Sequence, residues 1–568
     1  MAKFCFTGNP FVDAGIAGMC AAANVSSLDA LDMQAVDKAV ETLLRVMTSD
    51  AVFKKRPIEK KETAFATSEM SVIFPNGPLS QASVPSECKT EAQKIAHKKK
   101  QYAERVGKKL AAFRELAAGQ MANKGLGTCF VDGTIAFMRV GNDEFPLVDS
   151  KTKRNFHPGL QGGHAIGALT ALALEFFPLS VLRTGVNTGL FWFVHTASSK
   201  IAIACAELTL NAMNHAISRS DGLGFFGDWN IPSRDAGAAL VALIRDLMSG
   251  KNQSAISWNE IETERLPATA YVFSNDNRGP QIAAHDLPHQ LFWFFAVLNQ
   301  RPISFERFNQ EILRSEKIGW QVAKRMLARE PIAANCSIRP EGGKTGRLRG
   351  GWQAHSLYAT EVLGMNSVFV RDVEAVSERI IHSEDAKDLI LALQKMGASQ
   401  ALLRLSRKEM LNLEEYARLV PPDMPRAAFA ARDYLLAAIY ERQAAAEQER
   451  PFLLWDGEPA ALPDKHPFVS LVEQIGAKLT ANPDIGKRVA TDLAKARRLA
   501  DLRGAILRAM RRGILSWSDF VQLFPPDEAR ISFLLRDYLL AYLYTALRTA
   551  DLPEPETIPD KVIEQAEE

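Results

Sequence analysis

The sequence predicts an α+β protein: a mixed α/β N-terminal body (1–350) followed by an all-α C-terminal bundle (351–568) with an internal duplication. Three observations carry this. Short apolar runs bounded by Gly, Pro, Asn and Asp interleave with helical patterns over the first part of the chain. From about residue 352 onward nearly every stretch places apolar residues three and four apart. Within that second part, one segment repeats without a gap.

In chain order, Thr7-Gly8-Asn9-Pro10 opens the body as a turn. A helix is expected from Asp32 to Met47, because Val36, Val40, Leu43, Leu44 and Met47 share one face. Met70–Phe74 (MSVIF), ended by Pro75-Asn76-Gly77, is a candidate strand. Residues 91–118 form a basic helix with an apolar stripe of Ile95, Tyr102, Val106 and Leu110. Thr128–Phe130 and Thr134–Val140 flank the hairpin signal Asp132-Gly133. Helices are expected near 164–182, 197–218 and 236–249, and Tyr271–Phe273 is a short strand.

The duplication relates Arg432-Asp433-Tyr434-Leu435-Leu436-Ala437 to Arg536-Asp537-Tyr538-Leu539-Leu540-Ala541, 104 positions on. The same offset carries Pro421-Pro422-Asp423 onto Pro525-Pro526-Asp527, Arg404 onto Arg508, and Arg407 onto Arg511. The copies span about 365–446 and 468–550, and two copies fit a packed bundle. Tyr434 and Tyr538, each followed by two leucines, read as core residues.

The net charge of +2 excludes nucleic-acid binding by bulk charge, so any such binding belongs to local patches. Six cysteines without a C-x-x-C pair read as free thiols of a reducing compartment, with Cys20 and Cys205 in apolar helical settings. No signal peptide is visible, and no apolar run reaches the roughly 20 residues that span a bilayer. Together these give a cytoplasmic expectation with no membrane partner.

Catalytic readings fail on spacing. Gly343-Lys344-Thr345 resembles the end of a P-loop, but Ile338 stands where the motif needs Gly. His285 and His289 flank Pro288, which starts the following helix and leaves His285 outside it, so no metal or other cofactor is expected. No G-x-S-x-G elbow is present, and His164 reads more readily as a helix-start residue than as part of a pocket.

What remains are polar loops and a charged helix. Glu341–Gly351 (EGGKTGRLRGG) can expose backbone N–H groups and place Lys344, Arg347 and Arg349 on phosphates or guanine edges; the alternative is a solvated loop. Asn9, Gln161 beside Gly162-Gly163, and Asn275, Asn277 and Arg278 are further candidate DNA-binding residues, with Asn9 also readable as a structural turn. On the basic helix, Lys98, Lys99, Arg105, Lys108 and Lys109 are candidates for an electrostatic track, against the plainer reading of a solvated face.

The opening Phe6-Thr7-Gly8-Asn9-Pro10-Phe11-Val12-Asp13-Ala14-Gly15 resembles the start of the large subunits of subtype I-B-like CRISPR Cascade surveillance complexes, and the length and layout agree. The resemblance implies a non-catalytic prokaryotic protein that reads the protospacer-adjacent motif in target double-stranded DNA and assists R-loop formation. Its helical bundle would hold the displaced strand, while a guide RNA reads the long target. Implied partners are the guide RNA, the Cascade backbone and guide-end-capping subunits, small subunits and a helicase-nuclease. Relatives with paired C-x-x-C motifs imply zinc, which this sequence does not support. An internal start at Met365 or Met396 would make the bundle separately. The alternatives are a helical adaptor that binds proteins without nucleic acid and an enzyme with a pocket near His164 or His285.

Overall fold

The structure is a computed structural model. It describes the chain outside residues 1–3, 59–60, 65–69, 76, 82–83, 123–124, 148–162, 185–189, 221–224, 227–235, 249–267, 277–278, 302–307, 309–315, 334–350, 425–426, 458–460, 526–530, 549–551 and 556–568. Helices dominate, with small antiparallel sheets, as an α+β class requires. Two compact units form, Met1–Gln300 and Arg301–Glu568. The second begins ahead of the Gly-rich loop because the segment before that loop belongs to the helical core: Ala333 lies within it, and the Tyr358 hydroxyl donates to the Glu330 carbonyl at 3.1 Å.

The first unit is organised around α1 (Pro10–Ala23). Asn9 caps it, its side-chain oxygen accepting from the N–H groups of Phe11 and Val12 at 3.1 and 3.3 Å, and Pro10 supplies the pre-set first turn. Around α1 pack α2 (Met33–Met47), α4 (Ala168–Phe176), which follows α3 (Glu91–Ala117) in the chain, and α5 (Ser199–Arg219). Gly15 and Gly18 permit the closest approach. A Cβ at Gly15 would lie 2.1 Å from the Ala173 carbonyl oxygen, and one at Gly18 2.6 Å from that of Phe176.

Among the described residues three sheets complete the unit. β1 (Lys55–Ile58) pairs with β2 (Lys61–Ala64), and β3 (Ala136–Val140) with β4 (His164–Gly167). β5 (Leu182–Thr184), β6 (Leu190–Thr196), β7 (Ala268–Asp276) and β8 (Gly279–Leu287) form a four-stranded meander in that order. Phe193 on β6 lies opposite Tyr271 on β7, and its ring is 5.2 Å from Phe11 and 5.0 Å from Phe177. Helices α6 (Ala236–Met248) and α7 (His289–Asn299) pack on each other.

Two expectations are corrected here. Met70–Phe74 is a helical turn over 70–73, not a strand. Met70, Ile73 and Phe74 are buried at helical spacing, and the Phe74 N–H donates to the Met70 carbonyl at 2.7 Å. The expected helix at 164–182 is divided into β4, α4, a 3₁₀ turn at Phe177–Ser180 and β5, because Pro178 interrupts it and the β3 edge recruits His164–Gly167. His164 is therefore a strand residue, its ring 5.0 Å from Phe130.

The second unit contains α8 (Glu316–Leu327) and α9 (Trp352–Glu361), then two series of five helices. The first is α10 (Ser367–His382), α11 (Ala386–Lys395), α12 (Ala398–Arg407), α13 (Leu413–Leu419) and α14 (Ala427–Glu447). The second is α15 (Pro467–Thr480), α16 (Pro483–Ala494), α17 (Leu499–Arg511), α18 (Trp517–Leu523) and α19 (Ile531–Leu547). The packing repeats with the sequence: α10 packs on α14 as α15 packs on α19, and α11 on α12 as α16 on α17.

Local geometry repeats with it. Asn412–Glu415 and Ser516–Asp519 form capping boxes at equivalent positions, and Glu409 and Gly513 both take positive φ, 58° and 75°. The Arg432 and Arg536 Nε atoms donate to Asp433 and Asp537 at 3.0 and 2.9 Å, so each arginine binds its own neighbour. Tyr434 and Tyr538 are fully buried, as core residues should be.

Candidate nucleic-acid interface

The basic helix α3 does not present one cationic face. Tyr102, Val106, Lys109, Ala112 and Phe113 all point inward at helical spacing. Lys109 is buried, its Nζ 2.5 Å from Glu175 and 3.2 Å from Glu144. Arg105 donates to Glu175 at 2.8 Å and to the Asp143 carbonyl at 3.2 Å. Burial raises the Glu175 carboxyl, and the charges of Arg105 and Lys109 outweigh it, so the carboxyl ends below its ordinary range. Lys98 donates to the Ser80 carbonyl, and Lys99 pairs with Asp50 at 2.7 Å. Lys108 faces solvent. Five cations adjacent in sequence are thereby divided between struts and surface.

The opening motif has a structural task as well. Asp13 on α1 is buried and accepts from the Thr7 N–H at 2.6 Å, the Thr7 hydroxyl at 2.9 Å and the Gly8 N–H at 3.0 Å, while His195 Nε2 on β6 lies 3.0 Å from one of its carboxylate oxygens. Asn9 and Asp13 together lock the Thr7–Pro10 turn onto α1. Asn275 lies in β7. Gln161, Asn277, Arg278, Lys344, Arg347 and Arg349 lie outside the described residues.

The structure brings forward a group of residues that the sequence reading passed over. Between 487 and 512 the chain carries nine Lys and Arg against two Asp, in a protein whose net charge is only +2. Arg488, Lys495, Arg497, Arg498, Arg503, Arg508, Arg511 and Arg512 are all exposed. On α17 the cause is the helix phase: Leu502, Ala505, Ile506 and Ala509 face the core, which leaves Arg503, Arg508 and Arg511 outward. Both acids are committed, Asp492 to Arg508 Nε at 2.9 Å and Asp501 to the Arg498 N–H at 3.1 Å.

Aromatic surface adjoins the charge. Trp517 on α18 is 66% exposed and stacks on Phe520 with centroids 5.4 Å apart, and the Arg503 guanidinium sits 5.7 Å over the Phe524 ring. Exposed guanidinium groups beside a stacking platform are the chemistry that holds phosphates and bases. The charge run is legible by counting, but its exposure is not.

A cavity of about 1230 Å³ opens elsewhere in this unit, lined by Phe369, Arg418, Pro421, Met424, Phe429 and Leu462 among others. Met424, Phe429 and Leu462 are exposed at it. Among the described residues no three His, Cys, Asp or Glu side chains converge as metal ligands, and no helix is long and apolar enough to cross a membrane. Burial pushes the thiols of Cys20 and Cys205 up to about 12.

No family model matches the chain, and comparison with curated proteins and with solved structures finds no match to it.

Proposed function

We propose that this chain is a non-catalytic nucleic-acid-binding subunit, and that it serves a CRISPR RNA-guided surveillance complex as its large subunit. The observation that carries the binding reading is the exposed cationic surface of α16 and α17, with Arg488, Lys495, Arg497, Arg498 and Arg503 gathered along α16, the connection and the first turns of α17. A dense local patch on a nearly neutral chain is how a protein engages phosphates without coating nucleic acid. The opening decapeptide, anchored through Asp13, supports the finer assignment to the Cascade class. In that role the chain reads the protospacer-adjacent motif, assists R-loop formation and recruits a helicase-nuclease.

The test is fluorescence anisotropy of labelled single- and double-stranded oligonucleotides against the full chain across a salt series. Binding should weaken steeply with salt, and Arg498→Glu/Arg503→Glu should flatten the log–log slope by about 1–2, near one for each phosphate that is no longer neutralised. Short repeat-derived guide RNAs should co-purify with the tagged chain from its host. A slope that both substitutions leave intact removes the interface; protein partners without RNA remove the surveillance assignment.

A second reading, a protein-binding adaptor, draws on the exposed apolar side chains at the cavity beside Met424 and Leu462. It predicts partner binding with little dependence on salt.

A further inference from the structure

The two copies share a fold but not the same surroundings. In the first copy, α19 packs on α12 and α13. Leu403 on α12 is 0% exposed and Leu413 on α13 is 5% exposed. The Tyr416 ring meets the Tyr538 ring of α19 edge-on at 5.3 Å, and the Tyr538 hydroxyl donates to the Val420 carbonyl. Beyond the end of α19 the chain continues as a strap: Gln400 donates to the Pro555 carbonyl at 2.8 Å, and Glu554 pairs with Arg404 at 3.0 Å and Arg407 at 3.4 Å. One apolar helix and one acidic strap thus cover the outer face of α12 and α13.

The corresponding face of the second copy, on α17 and α18, is open. Leu507, the counterpart of Leu403, is 37% exposed; Trp517, the counterpart of Leu413, is 66% exposed; Val521 is 40% exposed. Arg508 and Arg511, the counterparts of the two arginines paired with Glu554, are exposed, and Arg508 donates to Asp492 of α16 at 2.9 Å. Apolar side chains flanked by arginines therefore repeat in the same order and the same local fold, without the helix and the acid that cover them in the first copy. The first copy thus shows what kind of surface this fold covers there: an apolar helix running into a carboxylate. An exposed Trp among arginines is also the composition of an interface centre.

We propose that the outer face of α17 and α18 is a docking site for a partner protein's amphipathic helix that carries acidic residues beyond its C-terminal end, seated as α19 and Glu554 are seated on α12 and α13. The site uses Leu507, Trp517 and Val521 for the apolar stripe and Arg508 and Arg511 for the acid. Trp517, Arg508 and Arg511 border the cationic surface described above, and the test separates this site from the nucleic-acid reading, which is carried by Arg488, Lys495, Arg497, Arg498 and Arg503.

The probe for the test is residues 531–555 of this same sequence, α19 with its strap, fused to a soluble fluorescent carrier and titrated with the full-length protein. Saturable binding is expected. Leu507→Asp/Trp517→Ala and Arg508→Glu/Arg511→Glu should each weaken it at least tenfold, and Arg498→Glu/Arg503→Glu should not. Glu554→Lys in the probe should restore affinity for Arg508→Glu/Arg511→Glu. The positions substituted in the full-length protein are all exposed, and circular dichroism melting checks that each variant folds. No saturable binding, or binding indifferent to both face variants, overturns the proposal. It also falls if Trp517→Ala weakens oligonucleotide binding while leaving the probe bound, because the face then belongs to the nucleic-acid interface.

Discussion

Replacing Glu175 with Gln tests whether α3 is held by its own cations. Glu175 is 2% exposed, and its two oxygens accept from Lys109 at 2.5 Å and Arg105 at 2.8 Å. Gln keeps the size and removes the charge, which leaves the two cations with Glu144, 3.2 Å from Lys109, as the neighbouring carboxylate. Removing one partner of a buried ion pair costs about 3–5 kcal/mol, because the remaining charge stays desolvated. At 1.36 kcal/mol per decade, amide-exchange protection in peptides from α3 and α4 should fall by roughly two to three and a half orders of magnitude. Hydrogen exchange with mass spectrometry reads this locally, so it needs no two-state unfolding of a chain with two compact units. The pH dependence has a defined sign. The native Glu175 carboxyl lies below its ordinary range, so its stabilisation is complete above the unfolded pKa of about 4.3 and is lost as pH falls through the lowered native value. The difference between wild type and Glu175→Gln should therefore persist at neutral pH and close only in acid. Protection within threefold of wild type at pH 7 would refute the strut and return Lys109 and Arg105 to the cationic surface.

Three further outcomes are expected. Gly15→Ala places a Cβ against the Ala173 carbonyl and should destabilise the first unit by about 1–3 kcal/mol, seen as a lower thermal midpoint for that unit. Tyr538→Phe leaves the Val420 carbonyl without the hydroxyl it accepts from and should cost the second unit about 1–2 kcal/mol in denaturant titration. With their thiols raised to about 12, Cys20 and Cys205 have a thiolate fraction of roughly 10⁻⁴ at pH 8, so iodoacetamide should label exposed Cys5 in the folded protein and reach the other two only after denaturation.

Elements with a long periodic pattern are legible in the sequence. The helix after Asp32 and the 27-residue α3 follow from spacing, a local property of the chain. The expected hairpin about Asp132-Gly133 is instead reduced to a single Thr128–Ile135 bridge, because Ala136–Val140 pairs with His164–Gly167. Met70–Phe74 and 164–182 depart from their sequence patterns because a short apolar run carries no period of its own, and the neighbouring surface decides whether it coils or pairs. The candidate site shows the same division. Counting finds nine cations against two acids at 487–512, yet the same count applied to α3 does not show that Lys109 lies against a carboxylate 66 positions away.

By itself, then, the sequence determined the α+β class, the helical second half and the duplication, since identity at a fixed offset needs no third dimension to be seen. Tertiary structure decided which charges are paired and which face solvent, and it made two nearly equivalent copies chemically unequal. α19 and Glu554 cover Leu403, Leu413, Arg404 and Arg407 in one copy, while their counterparts Leu507, Trp517, Arg508 and Arg511 in the other are exposed. The physical reason is that the energy of a charge or an apolar side chain depends on what displaces water from it, and that neighbour is brought by the fold from far along the chain.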